Sequence, residues 1–146
     1  MTDVMFAQMM IPHHQQAIEM ADFALAGSSG ASPEVRALAE QIARAQGPEI
    51  VLMQGWLRSW GAASGMPMGH DMTGMMSDAD MVELERATGP GFDRRWLTMM
   101  IEHHEGAITM AEDVVQRTQN PDVEKLATAI VDGQRREIDT MTGLLA

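Results

Sequence analysis

The chain contains no cysteine. That excludes disulfides, thiolate catalysis and cysteine-ligated zinc, and leaves the redox compartment open. Tyrosine is also absent, and tryptophan and phenylalanine number three each. A core must therefore be built from Ala, Leu, Ile, Val and Met. Basic residues are scarce: 10 Lys and Arg stand against 21 Asp and Glu, a net charge of -11. Such a surface repels phosphate backbones, so no nucleic acid is expected as partner, and it attracts cations only weakly and without selectivity. No apolar run reaches the length of a membrane span, and no signal peptide opens the chain. The 146 residues, 45% of them hydrophobic, are enough for a single domain with a core and argue against disorder.

What the chain has in excess is methionine, and an unusual string that occurs twice. Met9-Met10-Ile11-Pro12-His13-His14-Gln15-Gln16-Ala17-Ile18-Glu19-Met20-Ala21 recurs, offset by 90, as Met99-Met100-Ile101-Glu102-His103-His104-Glu105-Gly106-Ala107-Ile108-Thr109-Met110-Ala111. The copies hold four of the five histidines and six of the 16 methionines. Imidazole and thioether gathered this way, without thiol, point to a soft or borderline metal, copper first.

Apolar residues in both copies recur at intervals of three, four and seven, the spacing of a helix with one buried face. In the first copy Gln15, Glu19 and Asp22 fall on the opposite face, and His13 and His14 flank the apolar arc. The repeat continues with an offset of 88: Ser32-Pro33-Glu34-Val35 matches Asn120-Pro121-Asp122-Val123. Each reads as a helix start, with a capping residue, proline in the first turn and an acid behind it. The pattern predicts an all-α, ferritin-like four-helix bundle made of two antiparallel hairpins. Helices are expected at about 3–26, 33–60, 92–118 and 121–145. Residues 1–146 form one domain in this reading: repeat one at 3–60, a linker at 61–91, repeat two at 92–146. Ser77-Asp78-Ala79-Asp80 looks like a capping box opening a short helix, which Gly89-Pro90-Gly91 stops. The glycine-rich stretch up to Met76 is not expected to hold a fixed fold.

In the second helix of each hairpin, Gln46 with Glu49, and Gln134 with Glu137, share the apolar face. A carboxylate aimed into a core is costly unless paired or bound to a cation. The histidines are its obvious partners, which predicts a pseudo-symmetric polar layer. Met9 and Met10 stand four residues before His13 and His14, and Met99 and Met100 four before His103 and His104. Thioether and imidazole thus occupy neighbouring turns, a donor set that suits Cu(I), and through imidazole also Cu(II), zinc or iron. The bland alternative is a dry layer of His–Glu hydrogen bonds with methionine as filler. Pro12 and Pro48 are each expected to interrupt a helix at this layer and free a carbonyl.

The linker is a second candidate. Met66, Met68, His70, Met72, Met75 and Met76 crowd into eleven residues. Thioethers resist oxidation better than thiols and suit Cu(I) in an oxidising compartment. Otherwise such a loop is an adaptable apolar surface for a partner helix. Trp56 and Trp60 read as hairpin-end packing.

The doubled Met-Ile-x-His-His-x-x-Ala-Ile-x-Met-Ala string, with Gln-x-x-Glu-Ile-x-x-Met in the partner helices, resembles domain-of-unknown-function family 305 over nearly the whole chain. The resemblance implies a ferritin-like helical bundle, exported to the periplasm or beyond, in a family where some members bind copper through Met and His and serve copper tolerance. Carried over, it implicates Met9, Met10, His13, His14, Met20, Met99, Met100, His103, His104 and Met110.

The reading is therefore a copper-binding protein, not an enzyme, acting in sequestration, transport or tolerance, with a copper-handling protein as its expected partner. One alternative is a di-metal oxidoreductase, but the chain offers no inward Glu-x-x-His pair and few buried carboxylates. The other is a metal-free interaction module that uses the methionine-rich loop.

Overall fold

Local chemistry sets the ends of each helix in the computed structural model, which describes residues 1–65 and 73–146. The Thr2 hydroxyl caps α1 (Asp3–Leu25), and the Ser32 hydroxyl caps α2 (Pro33–Ser59) by accepting the Val35 amide at 3.2 Å. At α3 (Asp78–Arg86) the capping box is complete, with Ser77 and Asp80 each bonding the other's backbone amide. α4 (Gly89–Arg117) and α5 (Pro121–Leu145) follow, the latter capped by Asn120. No strand occurs among the described residues, and no helix there is long and apolar enough to cross a membrane.

α1 lies along α2 and α4 along α5, and the two hairpins meet through α1 and α4. The seam between α2 and α5 is looser and holds a cleft. The interior is divided in two. One apolar cluster joins the N-terminal half of α1 to the C-terminal half of α4, with Phe6, Met9, Met10, Met53, Leu57, Met110, Val114 and Ile130. The other joins the remaining halves, with Met20, Val35, Ile42, Leu84, Phe92, Trp96, Met99 and Met100. α1 and α4 therefore run antiparallel. Trp96 is fully buried, and its indole nitrogen donates to the Met20 carbonyl at 2.9 Å. Large apolar side chains buried to this degree each contribute about 1.5–3 kcal/mol. Trp56 and Trp60 stack at 5.8 Å at the end of α2 and pack against the first cluster.

Three sequence expectations need correction. Pro12 and Pro48 do not break their helices: α1 and α2 run on through them as continuous helix, so packing on both sides outweighs one missing backbone bond. Gly89-Pro90-Gly91 does not stop α3, which has already ended at Arg86. It forms the first turn of α4, where proline's fixed φ and missing N–H are suited to the helix start. Lastly, the end of the linker, at residues 73–76, is held in place although it forms no regular element. Residues 73–76 lie against α1 and α4 and form a strap across them, with Met76 buried in the second cluster.

Candidate metal centre

Between the two apolar clusters lies a polar layer. His13, His14, His103 and His104 are all buried, each at 1% exposure or less. α1 and α4 deliver them because two adjacent histidines in each helix stand at the edges of its apolar stripe. His14 Nε2 lies 2.9 Å from Glu49 Oε1, and His104 Nε2 lies 2.9 Å from Glu137 Oε1. The two pairs are matched across the repeat but differ in exposure. The Glu137 side chain is 8% exposed and Glu49, at the edge of the layer, 21%.

His13 and His103 face each other, with ring centroids 3.7 Å apart and an interplanar angle of 33°. Burial, then the neighbouring His14, hold the His13 pKa down at about 3, against an opposing hydrogen bond to the Thr73 carbonyl at 3.1 Å. Burial and then His13 push His103 well below the ordinary imidazole value. Both rings are neutral at pH 7, the form that donates a lone pair to a metal.

Several buried polar atoms have no partner among the described residues: His14 Nδ1, His103 Nε2, His104 Nδ1, both amide atoms of Gln46, and Gln134 Oε1. Native interiors rarely leave such groups unpaired. These orphaned nitrogens fit a metal better than a dry structural layer, whose purpose would be to satisfy them. Among the described residues, however, no three His, Asp or Glu side chains converge as a ready-made site. The imidazoles are engaged with carboxylates or with each other, so an ion would have to part the layer.

The six methionines of the repeated string are buried on either side of this layer. Met9, Met10 and Met110 lie in one cluster, and Met20, Met99 and Met100 in the other. Antiparallel packing of the two copies produces that arrangement: each cluster takes the leading methionines of one copy and the trailing methionine of the other. Met66, Met68, His70 and Met72 lie outside the described residues.

The repeat did not reveal how the linker ends. Gln16 clamps it, donating to the Met76 carbonyl at 3.0 Å and accepting the Met76 amide at 2.8 Å. Gly74 has φ +78°, and a Cβ there would lie 2.8 Å from the Glu102 carbonyl oxygen. A Cβ on Gly106 would overlap the Thr73 carbonyl. Gly106 stands where the first copy has Gln16. That mismatch, one of four in the repeated string, was the signal: one helix makes room for the strap and the other holds it. Gln46 and Gln134 line the α2–α5 cleft together with Glu49 and Glu137.

Among the described residues the chain is an all-α protein that buries four imidazoles between two clusters rich in thioether side chains. The chain belongs to the DUF305 family (domain of unknown function), whose profile matches residues 3–145.

A DUF305 protein of Streptomyces coelicolor, provisionally named as secreted, is 36% identical, with a TM-score of 0.91 over 98% of this chain and 91% of its own. A DUF305 fragment from Deinococcus radiodurans is also 36% identical, with a TM-score of 0.88 over 98% and 94%. CopM in its Cu(I)-bound form is 34% identical, with a TM-score of 0.83 over 99% and 95%. CopM is also similar in its Cu(II)-bound, silver-bound and apo forms. Uncharacterized protein L153 of Acanthamoeba polyphaga mimivirus is 43% identical over 53 residues, which span 36% of this chain and 35% of that protein.

Proposed function

We propose that this protein binds copper, above all Cu(I), in the layer between its two methionine clusters, and holds or carries it without turnover. The observation that carries the reading is the set of unpartnered imidazole nitrogens on His14, His103 and His104, buried between six methionines. The similarity to CopM, whose forms include Cu(I), Cu(II) and silver, supports it. His13, His14, His103 and His104 would supply nitrogen, and Met9, Met10, Met20, Met99, Met100 and Met110 would supply sulfur. Glu49 and Glu137 would offset the ion's charge, which an apolar interior alone would not tolerate.

The framework is read as a four-helix bundle of the ferritin-like kind, exported from the cell, consistent with the relative named as secreted. An oxygen-activating di-metal centre in such a bundle draws a carboxylate from every helix. Here only α2 and α5 bring carboxylates to the layer. Binding rather than oxidation is therefore the reading the donor set favours.

X-ray absorption of the Cu(I)-loaded protein tests it. Mixed nitrogen and sulfur scattering, with loss of the sulfur shell when Met10 and Met100 become leucine, is expected. Oxygen-only scattering, or no retained copper, contradicts it.

A further inference from the structure

We infer that the cleft between α2 and α5 is the port through which the ion reaches the imidazole layer, with Gln46 and Gln134 as its oxygen donors. The inference rests on the copper reading above and adds the route.

The other seams are packed or covered among the described residues. α1 on α2 and α4 on α5 are close-packed hairpins. The α1–α4 seam is covered at the layer by Thr73–Met76, pinned by the two Gln16 bonds and seated so closely on Gly106 that no Cβ would fit. Among the described residues, α2 and α5 leave a cleft beside the layer, of about 210 Å³.

The walls of that cleft are built in matched pairs 88 residues apart: Ala45 with Gly133, Gln46 with Gln134, Glu49 with Glu137. Small residues keep it open. Gln46 is 2% exposed and neither of its amide atoms has a partner among the described residues; Gln134 is 5% exposed and its oxygen has none there. Unpartnered amides at such depth are disfavoured unless something visits them. Among the described residues the two carboxylates are hydrogen-bonded only to imidazoles, and Arg136, on the rim, forms no ion pair with either.

A hydrated cation drawn to Glu49 and Glu137 would exchange water for amide and carboxylate oxygens. It would then pass to the imidazoles bonded to those same carboxylates. The soft ion prefers nitrogen and sulfur to oxygen, so the cleft passes it inward and does not keep it.

The test mixes the full apo chain rapidly with Ag(I), a redox-inert probe, in chloride-free buffer, and follows tryptophan fluorescence. Affinity is measured separately by competition at equilibrium. Gly133→Phe plugs the mouth, and a Cβ there meets nothing within 4 Å. It should slow loading by about tenfold or more, equivalent to at least about 1.4 kcal/mol of added barrier, and leave the affinity within about twofold. Ala45→Phe, from the opposite wall, should do the same and serves if the first variant misfolds. Gln46→Leu with Gln134→Leu should also slow loading. Gln16→Leu, which loosens the strap on the far seam, should leave the rate unchanged. Wild-type loading rates in both plugged variants, or faster loading in Gln16→Leu, would overturn the port while leaving copper binding in place. If the wild type takes up neither Ag(I) nor Cu(I), the copper reading fails and the port with it.

Discussion

His13 and His103 are counterparts in the repeat, 90 residues apart, and their rings meet at a tilt of 33° with centroids 3.7 Å apart. Burial is the main reason that neither ring takes up a charge, with His14 adding to the effect at His13 and His13 adding to it at His103. At neutral pH both rings are therefore uncharged, the form in which imidazole can donate a lone pair.

Stability should respond to acid in a defined direction. An unfolded histidine takes a proton below about pH 6.5, whereas folded His13 resists protonation down to about 3. The unfolded state then binds more protons throughout that window. Stability is fully present above about pH 6.5 and falls as pH drops toward 3, by up to about 1.4 kcal/mol per pH unit for each such histidine. His103 adds in the same direction. Urea unfolding at a series of pH values should show the slope, and His13→Leu with His103→Leu should flatten it.

His103→Leu alone should stabilise the apo protein. It removes a buried Nε2 that has no partner and replaces it with an apolar side chain. The expected gain is about 1 kcal/mol, seen as a higher urea midpoint. An unchanged or lower midpoint would mean that the His13–His103 contact is itself stabilising. Stability gained by deleting a metal donor would mark the layer as kept for binding.

The two His–Glu pairs should not be equivalent. Glu137→Ala strips the partner from His104 in the more buried pair and should cost about 2–3 kcal/mol. Glu49→Ala acts at a side chain 21% exposed, where water replaces the lost oxygen, and should cost about 1 kcal/mol. Denaturant unfolding of both variants measures the difference, and equal losses would contradict the assigned depths.

Two glycines on adjacent helices should give opposite results. Gly133→Ala meets nothing within 4 Å and should stabilise α5 by about 0.5–1 kcal/mol. Gly106→Ala gains the same helix propensity but drives a methyl group into the Thr73 carbonyl, so the strap must lift. Hydrogen exchange at the Met76 amide, which Gln16 protects in the wild type, should rise sharply in Gly106→Ala and stay unchanged in Gly133→Ala.

Those glycines also mark where the sequence stops being readable. The helix starts at Pro33 and Pro121, and the capping box at Ser77, follow from chemistry within four residues, and the structure reproduces them. The inward histidines follow from helical spacing alone. Which partner each ring takes does not, because His13 and His14 are both inward and only tertiary packing gives one a carboxylate and the other a second imidazole. The continuity of α1 and α2 through Pro12 and Pro48 was hidden for the same reason: packing overrides a local helix-breaking signal. The docking of Thr73–Met76 depends on a mismatch between repeats, Gln16 against Gly106, whose meaning appears only once α1 and α4 lie side by side.

The most direct test of the account is an anaerobic Cu(I) titration against a chromophoric chelator, comparing the wild type with His13→Leu/His103→Leu. A third protein carries leucine at Met66, Met68 and Met72. Tight binding is expected of the wild type and of the linker variant, and at least a hundredfold weaker binding, about 2.7 kcal/mol, of the histidine variant. Undiminished affinity in the histidine variant would contradict it, because the layer between the methionine clusters would then not be where copper is held.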